Sequence, residues 1–204
     1  MRQLPLAVTF AISAGKARGV VWSGAMMAEF WVFGYGSLMW RPGFAYADRS
    51  PALLTGLHRQ LCIYSHVHRG TPDNPGLVMG LDRGGRCRGI AYRIDEKDRI
   101  ATIDYLRARE QVTMVYIESL RTIELMGEKR RKVRALTFVV DRGHDQYAGR
   151  LGLDQQLDLV LKGVGQSGRC IDYVRSTAAH LAEIGVRDHG LEALVEALDK
   201  GRNA

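Results

Sequence analysis

The segment WVFGYGSLMW, Trp31 to Trp40, sets a strand against a bend. Trp31, Val32 and Phe33 are β-formers, and the run stops at Gly34-Tyr35-Gly36-Ser37 before apolar residues resume at Leu38. Glycines astride an aromatic let a chain turn sharply through positive φ, and a turn alone explains them. A second reading stays open beside it. A tight bend beyond a strand end presents backbone N–H groups that can hold a carbonyl oxygen or a carboxylate. Ser37 is a weak nucleophile candidate: no G-x-S-x-G elbow surrounds it, and no acid–histidine pair has the spacing of a hydrolase.

Outward from this bend the chain reads as strands. Ala52 to Ser65 forms a second run; Gly76 to Asp82 and Arg88 to Asp95 flank Gly84-Gly85, which predicts a hairpin turning on that glycine pair. The polar stretch His66 to Gly76, rich in Gly, Pro and Asn, is a loop. Asp95 then sits where a helix cap belongs, and Ile100, Ile103 and Leu106 recur at helical spacing, predicting an inward face. A second hairpin follows, Val115–Leu125 and Val133–Asp141 about the charged turn Met126–Lys132. Its EKRRK run is a solvated turn that blunts edge-to-edge pairing. The last third carries helical patterns at Asp154–Gly163, Arg169–Gly185 and Asp188–Lys200. No repeat or linker interrupts the chain, so the expectation is a mixed α/β (α+β) single domain, strand-rich with peripheral helices.

Composition bounds the function. Of 204 residues, 46% are hydrophobic and 25% charged, which is globular and excludes disorder. The net charge of +7 is spread from Arg2 to Arg202, with only 8% aromatic residues and no basic–aromatic interleaving. That describes a solvated basic surface and argues against a nucleic-acid partner. Three well-separated cysteines, Cys62, Cys87 and Cys170, lack any CxxC spacing, against a zinc knuckle or disulfide framework and for a reducing, cytoplasmic setting. Leu4 to Ala14 is apolar behind Arg2, faintly like a signal peptide, but too short to span a membrane. Residues 1–28 read instead as an extension upstream of the natural start, with Met26 or Met27 as initiator, and 29–204 as the domain.

The sharpest candidate is Glu110. One turn beyond Leu106 it falls on the stripe of Ile100 and Ile103, and a carboxylate facing a core costs several kcal/mol unless neutralised or paired. Pairing with Arg107 or a cap would make it structural; left desolvated, its raised pKa suits general acid–base work near neutral pH. GVGQSG, Gly163 to Gly168, matches a dinucleotide-binding pattern by letter but follows a helix rather than a strand, so it reads as an inter-helix turn and implies no cofactor. His66 and His68, two apart, could share a strand face as a metal pair, yet no third ligand is evident and no metal is expected.

FGYGSLMWRPGF, HRGTPDNPGLVMGLDRGGRCRGIAYRI, YLRAREQVTMVY and GRCIDYVRSTAAHLAEIGVRDHGL together resemble the ChaC family of glutathione-specific γ-glutamylcyclotransferases, from about Trp31 to the last helices. The resemblance implies a small γ-glutamylcyclotransferase-like mixed β-barrel with flanking helices. It implies Glu110 as the catalytic glutamate and a substrate-holding loop of Phe33, Gly34, Tyr35, Gly36, Ser37 and Leu38. Tyr116 matches a pocket-shaping tyrosine, and Arg69 and Tyr147 lie in family-like stretches that add substrate contacts. The implied reaction cyclises the γ-glutamyl group of glutathione to 5-oxoproline, releasing L-cysteinylglycine, with no cofactor and no membrane. Two alternatives stay open: a cyclotransferase for other γ-glutamyl amines, and a non-catalytic cation-transport regulator using the same pocket.

Overall fold

The computed structural model describes residues 29–127 and 130–201; the expectations for residues 1–28, and for Glu128 and Lys129 in the charged turn, lie outside them. Strand β1 (Phe30–Gly34) is buried at every position. An alternating strand exposes one face; this one has both faces covered, which its unbroken apolar run requires. β1 pairs antiparallel with β3 (Gly76–Ile94) and parallel with β5 (Arg131–Val140), the parallel contact being Trp31 to Ala135 and Val32 to Leu136. That contact closes a barrel in the order β1-β3-β2-β4-β5, with β2 spanning Asp48–Ser65 and β4 Tyr116–Leu125. Trp31, Tyr92, Phe30, Phe33 and Phe138 are the largest side chains sealed in its core.

Gly84-Gly85 is not a hairpin turn. β3 runs through it for 19 residues, paired along its length with β2, and the chain reverses at residues 66–75 instead. Gly84 and Gly85 take φ of +96° and +68° opposite Gly56 at +91°. Thr55 faces Arg86, yet Leu57 faces Arg83, so one extra residue bulges from β3. Positive-φ glycines serve a bulge as well as a turn, and the strands flanking them are the same in either case. The second expected hairpin holds, with β4 and β5 paired from Tyr116–Val140 to Leu125–Arg131.

Helix α1 (Arg99–Glu110) follows a 3₁₀ turn at Glu96–Asp98. Asp95 precedes that turn as expected, but its carboxylate caps nothing; its carbonyl accepts from the Asp98 N–H at 2.9 Å. The inward face is Thr102, Ile103 and Leu106, while Ile100 is 74% exposed. The helical wheel explains this. At about 100° per residue Ile100 stands roughly 120° from Leu106, whereas Glu110 stands only about 40° from it. The predicted stripe therefore ends correctly at Glu110 although it starts at the wrong residue.

The C-terminal third forms α2 (Leu153–Lys162), α3 (Cys170–Glu183) and α4 (His189–Lys200). GVGQSG lies between α2 and α3 as a two-rung antiparallel pair, β6 (Val164–Gly165) with β7 (Gly168–Arg169). All three cysteines are buried thiols. Among the described residues no helix is long and apolar enough to cross a membrane.

Candidate active site

A cleft of about 420 Å³ opens at one end of the barrel. The turn after β1, the last turn of α1, the facing ends of β2, β3, β4 and β5, loop 65–69 and α3 all contribute to its lining. Tyr35, Gly36, Ser37 and Leu38 line it; Phe33 and Gly34 do not. Those two are strand residues, registered against Ala91 and Ile90, and a Cβ on Gly34 would meet that of Leu38 at 2.9 Å. Gly34 is thus required by the close return of the chain, and the binding surface begins one residue later.

The turn's acceptors are already occupied. Arg59 Nε donates to the Tyr35 carbonyl, and the Gly36 carbonyl takes the Met39 N–H at 2.9 Å. The Ser37 carbonyl takes the Arg41 N–H, also at 2.9 Å, and Tyr92 Oη donates to the carbonyls of Leu38 (3.0 Å) and Met39 (2.8 Å). Among the described residues the N–H groups of Gly36, Ser37 and Leu38 have no acceptor. A turn whose oxygens are spent and whose donors are free is an electrostatic host for negative charge.

Glu110 enters the same cleft from α1, its side chain 17% exposed. Burial lifts its carboxyl above the ordinary 4.5, with the Arg109 guanidinium pulling the other way from 3.3 Å. Arg107 does not pair with it. That guanidinium forks onto Glu118 of β4 at 3.0–3.2 Å, where a side chain only 1% exposed is neutralised and α1 is clamped to the barrel. Gln111 N–H closes the helix on the Arg107 carbonyl at 3.0 Å, and Met114, at φ +60°, bends the chain back so that Val112 and Thr113 border the cleft.

Three phenols share this environment. Burial pushes Tyr35 and Tyr116 well above the usual 10, with Glu110 adding to both, and pushes Tyr173 up to about 12. All stay neutral donors at physiological pH. Tyr116 Oη donates to the Met79 carbonyl at 2.8 Å, and Tyr173 Oη accepts the Met79 N–H at 3.2 Å.

Arg69 borders the cleft, stacked over the Tyr173 ring at 5.3 Å and donating to the Ser167 carbonyl of the β6–β7 turn. Tyr147 stands apart from the lining. Its hydroxyl donates to Asp82 Oδ2 at 2.7 Å; Asp82 is buried, and the exposed Arg142 completes the cluster through its Nε. His66 stacks on Tyr64, and His68 Nδ1 meets Ser167 Oγ at 3.1 Å. Among the described residues no three His, Cys, Asp or Glu side chains converge on a metal position.

Arg109 escaped the sequence reading. Its Nη1 donates to the carbonyls of Arg41 (2.7 Å) and Pro42 (3.3 Å) and to Tyr105 Oη (2.9 Å), and its Nη2 to Ser37 Oγ (2.9 Å). The available signals were adjacency to Glu110 and the i,i+4 step to Tyr105; Ser37, Arg41 and Pro42 lie 67–72 residues away, which no spacing rule reaches. Tyr173, from α3, was missed for the same reason.

The ChaC-like protein family matches residues 30–201. The chain is 32% identical over 170 residues to the glutathione-specific gamma-glutamylcyclotransferase of Escherichia coli (strain K12), covering 83% of this chain and 73% of that protein. It is 30% identical over 181 residues to glutathione-specific gamma-glutamylcyclotransferase 1 of Mus musculus, covering 87% and 81%. A crystal structure of a yeast gamma-glutamyl cyclotransferase specific to glutathione superposes with a TM-score of 0.77 at 23% identity, over 84% of this chain and 96% of that one.

Proposed function

The chain belongs to the ChaC family, and from that membership and its cleft we infer that it cyclises the γ-glutamyl group of glutathione, giving 5-oxoproline and L-cysteinylglycine. The observation that carries the mechanism is Glu110, a desolvated carboxylate sharing one cleft with a turn of free N–H donors.

The substrate brings its own nucleophile. Its α-amine reaches the γ-carbonyl carbon to close a five-membered lactam, so the protein need only fold it, and such orientation supplies up to about 7–11 kcal/mol in favourable systems. Glu110 takes a proton from the α-ammonium, freeing the lone pair that attacks. As the new C–N bond forms, the carbonyl oxygen gains negative charge, and the N–H groups of Gly36, Ser37 and Leu38 receive it. Losing one such donor typically costs about 2.7–4 kcal/mol. Collapse breaks the bond to the cysteinyl nitrogen, which accepts the proton from Glu110. The attacking nitrogen sheds its extra proton along the same carboxylate, leaving a neutral lactam and a protonated amine. Arg69 offers a guanidinium to a substrate carboxylate at the mouth, and Tyr116 walls the cleft behind the reacting carbon. No cofactor takes part. The thiol state of the three cysteines fits a cytoplasmic protein.

Incubation with glutathione, and separately with γ-glutamylalanine, followed by detection of 5-oxoproline, tests this. Release of 5-oxoproline and cysteinylglycine from glutathione, with γ-glutamylalanine left intact, is expected. Failure to cleave glutathione would reject the proposal, and equal turnover of both would reject the specificity.

A further inference from the structure

A cavity of about 570 Å³ shares no lining residue with the cleft. Arg59, Arg86, Arg88 and Arg187 line it, against a single lining carboxylate, Asp188. The charges are unevenly answered. Arg187 is exposed and held by Glu192 at 3.1 Å, while Arg86 and Arg88 make no ion pair among the described residues. Asp188 is partly committed, because its Oδ1 caps α4 by accepting the Leu191 N–H at 3.2 Å.

Arg59 gives the cavity a built floor. Its side chain is only 4% exposed; Nε is fixed on the Tyr35 carbonyl and Nη2 on the Arg88 carbonyl. Among the described residues Nη1 has only Asp188 Oδ2 at 3.9 Å, beyond hydrogen-bonding reach, so one edge of a buried guanidinium has no bonded acceptor among them. Guanidinium forks match the oxygens of phosphate, and several of them about one concavity favour a multiply charged anion over a lone carboxylate. The volume falls in the range of small-molecule sites, roughly 300–1,000 Å³.

We propose that this cavity binds a phosphate-bearing small molecule, with a diphosphate as the group recognised. Arg86 and Arg88 grip it from the bulged strand β3, and Arg59 supplies the buried contact. Because Arg59 also holds the Tyr35 carbonyl, the occupant sits one side chain away from the substrate turn.

Calorimetric and thermal-shift titrations with sodium pyrophosphate, against sodium chloride at matched ionic strength, test the site in the wild type, in Arg86→Ser/Arg88→Ser and in Arg187→Ser. Saturable one-to-one binding is expected, weakened about tenfold or more in the double variant (a factor worth about 1.4 kcal/mol). Without pyrophosphate, glutathione turnover in the double variant stays at wild-type level. A parallel arm with ADP separates sources. Equal affinity means that the diphosphate alone is read, and tighter ADP binding means that a nucleotide is the occupant. A response that tracks ionic strength without saturating overturns the proposal. So does identical pyrophosphate binding or inhibition in wild type and double variant, which would put the anion in the substrate cleft instead.

Discussion

Arg109 ties the proposed proton carrier to the turn it faces. Five polar groups meet its guanidinium, the Glu110 carboxylate among them. A lysine keeps the charge but not the planar fork. Arg109→Lys is therefore expected to raise KM for glutathione about tenfold while the acid limb of the pH–rate profile stays in place. Arg109→Gln should also move that limb to higher pH, since the one charge lowering the Glu110 pKa is gone. An unchanged KM in the lysine variant would reduce Arg109 to a bystander. Glu110 carries a stability consequence as well. Its pKa is raised on folding, so its proton-linked stabilisation is full below the ordinary 4.5 and is lost as pH rises through the raised value. Glu110→Gln should thus be more stable than wild type at pH ~8 in a denaturant titration, the gap closing at pH ~4. A gap independent of pH would mean that the carboxyl is not desolvated.

Among the elements, β3 and its cluster at Asp82 show how a family-like residue can be structural. Burial raises the Asp82 pKa, but hydrogen bonds from Arg142, Tyr147 and the Arg83 N–H outweigh that and hold it below 3.8. Tyr147→Phe deletes one donor of several and should cost about 1–2 kcal/mol of stability with KM for glutathione within about twofold of wild type. A tenfold rise in KM at unchanged stability would return Tyr147 to the substrate site. Element type was readable along most of the chain because apolar periodicity determines it: β1, the β4–β5 hairpin and the C-terminal helices lie where the pattern puts them. The two misreadings have physical causes. Gly84-Gly85 has the freedom either a turn or a bulge needs, and only pairing partners decide between them. Ile100 is apolar at the right spacing from Ile103 yet turns off the packed face, because three-residue steps drift around a helix of 3.6 residues per turn.

At the scale of the molecule, barrel closure assembles the site. β1 ends beneath the cleft because β3 and β5 flank it, and the same closure brings α1 and α3 to one rim. None of that was visible in local sequence. The GYGS turn and Glu110 could be singled out separately, but their convergence depends on contacts far apart in the chain. Tyr173 carried no local signal, and Arg109 none beyond its place beside Glu110 and one turn from Tyr105. The proposal that the working domain begins at residue 29 is testable at this scale. A chain starting at Met27 keeps Glu29, which binds Arg131 and the Trp31 indole. It should fold with kcat/KM within about twofold of the full chain. Loss of folding or turnover would show that residues 1–26 contribute.

The most direct test of the central claim is the rate of 5-oxoproline release from glutathione by Glu110→Gln, with circular dichroism as the check on folding. A folded variant slowed by roughly 10²–10⁴-fold or more is the predicted result, the range that general acid–base catalysis contributes. A folded variant turning over at near wild-type rate would contradict the account.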